Sequence, residues 1–163
     1  MLYIDSSCIR DHRTGGGAKE GGLAHGIGIA KGGCDTKPHA VCEERNRPHI
    51  LLLTPGNMRE AKVAMPSINS VLPVGYLVAR QGLRSNASRS WLIEPRTTPV
   101  ISATSNREEH LAHDRQIYRP HNVVEREFCR FKDRRRVATR FDRNIKIFMA
   151  TIAIAAFFTW QLR

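Results

Sequence analysis

The chain reads as an α/β protein: a mixed sheet with flanking helices, in a single domain. Three observations lead there. Short apolar runs bounded by glycine, proline and polar clusters punctuate the first hundred residues, and such runs are strand signals. Two stretches with helical spacing of apolar residues then close the chain, from about Tyr118 to Ala138 and from about Asp142 to Gln161. Finally, 163 residues with 41% hydrophobic content can bury one core. A strand, a hairpin and then alternating helices and strands fit a layered α/β architecture.

Leu2 to Cys8 predicts a short strand that contains Asp5. Asp11 to Gly33 holds nine glycines and two lysines and predicts a flexible loop. Within it, GIGIAKGG falls short of the phosphate-loop pattern, so a loop adapting to a DNA backbone, or simple disorder, fits better. Thr36 to Glu43 and His49 to Thr54 predict two strands joined by a turn at Arg45-Asn46-Arg47-Pro48. Leu51, Leu52 and Leu53 make the second of these apolar on both faces, as a central strand would be. Pro38 is a poor fit inside the first, because it removes a ladder donor. Asn57 to Leu72 has helical character that Pro66 should break or kink. Val74 to Ala79 is a third apolar run. Ser85 or Asn86 can cap a helix that stops at Pro95. Thr98 to Ala103 predicts another strand, and Ser105 to His113 a polar linker. Trp91 and Trp160 sit at helical apolar positions, as core residues do.

Charge narrows the partners. Lys and Arg number 26 against 15 Asp and Glu, a net +11, with a pI near 10.3. That excess favours a polyanion, of which nucleic acid is the commonest. The four cysteines (Cys8, Cys34, Cys42, Cys129) form no C-x-x-C pair, and the seven histidines form no metal-binding motif. No zinc site is expected, and reduced thiols suit a cytosolic protein. Charged residues interrupt the first dozen positions, which argues against a secretory signal. Ile147 to Leu162 is uncharged, but a spanning helix needs ~20 apolar residues. A buried terminal helix, with no membrane partner, is the expectation.

The stretch YRPHNVVEREFCRFK, Tyr118 to Lys132, is the most specific in the chain. Glu125 and Lys132 are seven residues apart and share one helix face two turns from each other. Val124, Phe128 and Phe131 form a neighbouring apolar stripe. From Arg126 to Arg143 there are eight Lys/Arg and three Asp/Glu, including Arg130, Arg134, Arg135 and Arg136. A carboxylate in such a field can hold a metal ion against a phosphodiester while the bases grip flanking phosphates. Taken one at a time, Asp5 reads as a surface acid, Glu125 as a partner of Arg126 or Lys132, and the arginines as a solvated face.

Tyr118, Glu125 and Lys132 follow the Y-x-x-R-x-x-x-E-x-x-x-x-x-x-K signature, and here the chain resembles bacterial insertion-sequence transposases of the DDE type. The arginine of that signature is His121. YIDSSCIRDHR resembles the family's first catalytic strand, with Asp5 as the matching aspartate. The glycine-rich stretch, RPHILLLTPGN and VARQGLRSNASRSWL resemble the segments that follow, so the likeness runs from Tyr3 to Leu162. It implies an RNase H-like fold spanning 1–163, with the basic and apolar helices at 118–163. It also implies Asp5 and Glu125 as catalytic metal ligands for Mg²⁺ or Mn²⁺, and DNA contacts from Tyr118, His121, Arg126, Arg130, Lys132 and Arg134 to Arg136. A homodimer, as in transposase assemblies, and a cytoplasmic, nucleoid-associated location go with it.

Two departures qualify the likeness. The family's turn reads D-K/R-G-Y-D, whereas this chain has Arg80-Gln81-Gly82-Leu83-Arg84. The second metal-binding aspartate is therefore Arg80, whose guanidinium cannot accept a metal. At an effective dielectric of ~20, a unit charge 4 Å away is worth about 4 kcal/mol, so Arg80 opposes metal occupancy. Only four residues precede Asp5, where the family carries a helical DNA-binding segment, so the expectation is a truncated, inactive remnant. Two other functions stay open on the residues: a basic module that grips DNA without cutting it, and a membrane-associated protein anchored by its apolar tail.

Overall fold

The computed structural model describes residues 1–15, 25–30, 32–45, 47–71, 73–79, 97–101 and 122–161. The fold is α/β with a mixed sheet. Its strands are β1 (Leu2–Ser6), β2 (Ile9–Asp11), β3 (Gly28–Ala30), β4 (Gly33–Glu43), β5 (Pro48–Pro55), β6 (Tyr76–Ala79), β7 (Thr98–Ile101) and β8 (Thr139–Arg140). Its helices among the described residues are α1 (Glu60–Asn69), α2 (Asn122–Lys132), α3 (Arg135–Ala138) and α4 (Ile145–Gln161). The described residues divide into two compact units, and β1, β4, β5 and α2 contribute to both.

The first unit comprises Met1–Asp5, Ala40–Ile50 and Arg59–Glu125. Its strand order is β7-β6-β1-β4. The pairs β1–β6 and β6–β7 are parallel, and the β1–β6 register runs Leu2↔Leu77, Tyr3↔Val78, Ile4↔Ala79. β1 lies between two neighbours, which is why Leu2 to Asp5 are all buried rather than alternating. Leu2, Ile4, Val41, Ala64, Ile68, Leu77, Ala79 and Ile101 form one core cluster. Among the described residues β7 is an edge strand, a position that tolerates Pro99.

The second unit comprises Ser6–His39, Leu51–Met58 and Arg126–Arg163. Here β4 pairs antiparallel with β2 and β3, and β2 pairs parallel with β8. Its buried apolar residues include Ile9, Ile27, Phe128, Phe131, Val137, Phe148 and Ile152.

Several expectations require correction. Pro66 does not break α1, which continues through it. The lost backbone bond is one link, and the burial of Ala64 and Ile68 outweighs it. Pro38 sits inside β4, past the Ile9↔Thr36 pairing, and contributes its carbonyl, which accepts the Ser7 N–H at 3.1 Å. β5 is not a central strand. Among the described residues it pairs only with β4, and Leu52 is exposed. The stretch from Asp11 to Gly33 is not all loop, because Gly28–Ala30 forms β3. The helix expected to Ala138 breaks after Lys132, where Arg134 is extended before α3. Burial of Val137 and Arg140 beyond that break forces the chain to turn. The helix expected before Pro95, the linker after Ser105, Trp91 and the Trp160 side chain lie outside the described residues.

Among the described residues, no helix is long and apolar enough to cross a membrane.

Candidate functional site

Asp5 closes the apolar run of β1 and is buried. A carboxylate there does not arise from strand propensity, since the preceding Leu2, Tyr3 and Ile4 supply the β preference and the core contacts. The β1–β6 register ends at Ile4↔Ala79, the residues that immediately precede Asp5 and Arg80 in the chain. Asp5 and Glu125 fall in the same compact unit. Glu125 lies in the first turn of α2, where the helix dipole favours an acid, and it is half-buried. Arg80, Tyr118 and His121 lie outside the described residues.

α2 is strongly amphipathic. Val124, Phe128 and Phe131 are buried as their spacing predicts, while Arg126 is exposed and Arg130 half-buried. Glu127, only two residues beyond Glu125, is fully buried. The two acids are ~200° apart around the helix, which is how neighbours in sequence meet different surroundings.

The basic residues of the 126–136 stretch differ in what already holds them. Lys132 Nζ donates to Ser7 Oγ at 2.6 Å, joining the last turn of α2 to the segment just after β1. Arg134 donates to Thr159 Oγ1 at 3.0 Å. Arg136 pairs with Asp142 at 3.0 Å. Arg126 and Arg135 are exposed. Sequence spacing could not separate these cases.

A second polar centre escaped the sequence reading altogether. Arg140, in β8, is fully buried. Its guanidinium donates to Thr36 Oγ1 at 2.6 Å and to the carbonyls of Asp142, His25 and Arg143 at 2.8, 2.8 and 3.0 Å. It also lies 3.5 Å from Asp11 Oδ1 and stacks over the Phe148 ring, 5.2 Å from its centroid. Asp11 lies 3.0 Å from Thr36 Oγ1 through each of its oxygens. Burial pushes the Asp11 carboxyl up to about 6, against the lowering pull of Thr36 and Arg140, and Asp35 adds to the rise. Burial likewise lowers Arg140 below the usual guanidinium range, opposed by Asp11 and Asp142. Gly26 permits the arrangement: its φ is +70°, and a Cβ there would collide with the Ile145 side chain. The signal that could have found this centre is slight, a lone Asp11 at a strand end and one arginine among many.

Among the described residues, no group of three or more His, Cys, Asp or Glu is placed to hold a metal ion.

No family model matches the chain. It is 24% identical over 126 residues to a Brucella ovis protein that carries the name transposase for insertion sequence element IS6501. The aligned region covers 77% of this chain and 97% of that protein.

Proposed function

We propose that this chain is the catalytic domain of an insertion-sequence transposase of the DDE type, RNase H-like in fold, that binds DNA and has lost strand cleavage and transfer. The observation that carries the reading is the β1–β6 register. A parallel pair ending at Ile4↔Ala79 suits a first acid at Asp5 and a second acidic position at residue 80. The likeness to the transposase-named protein supports the same reading, and a mixed sheet with flanking helices is compatible with it.

Phosphoryl transfer of this kind uses two divalent ions ~3.5–4 Å apart to activate the attacking oxygen and stabilise the leaving one. Mg²⁺ or Mn²⁺ suits oxygen ligands. Asp5 and Glu125 supply two negative charges, and Arg80 removes a third while adding a positive one, so ion binding is weak. What remains is the grip on DNA. Arg126, Arg130, Arg135 and their neighbours meet phosphates without reading bases, and such contacts bring Kd values of ~10⁻⁴–10⁻⁶ M.

The test is Mn²⁺-dependent nicking of supercoiled DNA, run beside DNA binding across salt concentrations. We expect binding without nicking, and Arg80→Asp should raise Mn²⁺ affinity measured by calorimetry. Nicking by the unmodified chain, abolished by Asp5→Ala and Glu125→Ala, would overturn the loss of activity. Absence of salt-dependent DNA binding would overturn the nucleic-acid reading itself.

A further inference from the structure

Helix α4 buries one side and leaves another bare. Phe148, Ile152, Ala155 and Ala156 are buried, whereas Ile147, Ile154, Phe157 and Phe158 are 48–57% exposed. Four large apolar side chains bare on one helix form a patch of the kind that marks an interaction surface. Beside it runs a groove of about 330 Å³. One wall is Thr151, Ile154 and Phe158, spaced three and four residues apart, so the groove follows α4 for two helical turns. The rim is Arg134, Arg135 and Arg136.

We propose that this groove is a docking site for an acidic amphipathic helix of a partner protein. The apolar wall repeats at the interval at which a bound helix presents anchors i, i+3 and i+7, which is the helix-in-groove mode of recognition. Charge complementarity selects the partner's flanks. Arg135 is exposed at the rim and carries this complementarity, since Arg136 beside it pairs with Asp142 and Arg134 bonds Thr159. Glutamates beside the anchors meet that rim, and lysines are repelled by it. A second copy of a chain carrying +11 brings a net cation, not an acid, to the same place. DNA phosphates match the rim and leave the apolar wall unused. The proposal does not depend on the transposase reading.

The probe is a fluorescein-labelled synthetic helix with leucines at i, i+3 and i+7 and glutamates on both flanks, titrated into the full chain and followed by anisotropy. Two controls accompany it: the same composition scrambled, and the same pattern with lysine replacing glutamate. We expect the patterned acidic helix to bind, and Ile154→Asp or Phe158→Asp to weaken it by about tenfold or more, the 1.4 kcal/mol of one lost anchor. Circular dichroism reports whether those variants stay folded. Arg135→Glu, a surface change, provides the second route and should shift preference from the acidic to the lysine helix. The proposal fails if the scrambled acidic peptide binds equally well, or if charge reversal leaves the preference unchanged. It also fails if Ile154→Asp abolishes self-association in sedimentation equilibrium while peptide binding is nil, which makes a second copy the occupant. Cosedimentation with phosphatidylglycerol vesicles, lost in the same variant and without peptide binding, makes the occupant a membrane surface. Loss of DNA binding with peptide binding intact bears on the proposed function alone.

Discussion

Arg135 and Arg140 stand five residues apart and carry the same charge, yet they belong to two different kinds of region. Arg135 is exposed, next to Arg136 and open to solvent, and lines a groove beside α4. Arg140 is fully buried, hydrogen-bonded to Thr36 and to three backbone carbonyls, and 3.5 Å from Asp11. The first region holds charge that a partner can use. The second has spent its charge on the protein's own carbonyls and carboxylate, and holds together β2, β4, β8 and α4. A run of basic residues in sequence therefore mixes two populations, and burial sorts them.

The largest effect expected from breaking this contrast is at Arg140. Arg140→Met leaves the Asp11 carboxylate without its cation and the Asp142, His25 and Arg143 carbonyls without their donor, which should cost about 3–5 kcal/mol in urea unfolding. Replacing both partners, Arg140→Met with Asp11→Leu, should recover part of that loss, because the uncompensated charge goes while the three carbonyls stay without their donor. A single-variant loss below about 1 kcal/mol would mean that the centre does not hold the unit together.

The same centre makes stability depend on pH in an unusual direction. The Asp11 carboxyl titrates at about 6 in the folded chain, against ~3.9 in the unfolded one. Between those values the folded state holds a proton that the unfolded state has released. The contribution of Asp11 is therefore greatest below about pH 4 and falls as pH rises to about 6, by roughly 2–3 kcal/mol. Asp11→Asn should remove that slope, read as the difference between variant and parent urea midpoints across the window. Matching slopes in the two proteins would place the titration elsewhere.

Smaller effects sharpen the exposed side of the comparison. Ser7→Ala deprives Lys132 of its 2.6 Å acceptor and should lower stability by about 1–2 kcal/mol, a half-buried, charge-assisted hydrogen bond. Arg135→Ala should change stability by less than ~0.5 kcal/mol and flatten the log–log salt dependence of DNA binding by ~0.9, one phosphate contact. An unchanged slope would remove Arg135 from the DNA-contacting set.

Much of the fold was legible because the relevant signals are local. β1, β6 and β7 fall on the short strand segments the sequence marks, and the stripe Val124, Phe128, Phe131 is buried as its period demands. The failures share a cause. The helix around Pro66 is held by Ala64 and Ile68 in the core, and Pro38 inside β4 by the Ser7 N–H at its carbonyl, and propensity cannot weigh contacts distant in sequence. The triple leucine of β5 reads as central, but the side on which a strand finds partners is a property of the sheet. Of the candidate site, Asp5, Glu125 and Lys132 could be named from pattern and resemblance. The bond of Lys132 to Ser7 could not, since 125 residues separate them.

By itself the sequence determined the α/β class, the basic character, and the amphipathic α2 with Glu125 and Lys132 on one face. Those follow from residue chemistry and from periods of two and 3.6, which act over a few residues. Tertiary structure alone decided which cations are consumed internally, where the basic helix breaks, and which side of α4 stays bare. Each of these depends on burial, and burial depends on what the rest of the chain brings alongside. Arg140 next to Asp11 and Thr36, across more than a hundred residues, is such a case. Its environment was assembled by packing, and no local pattern could have announced it.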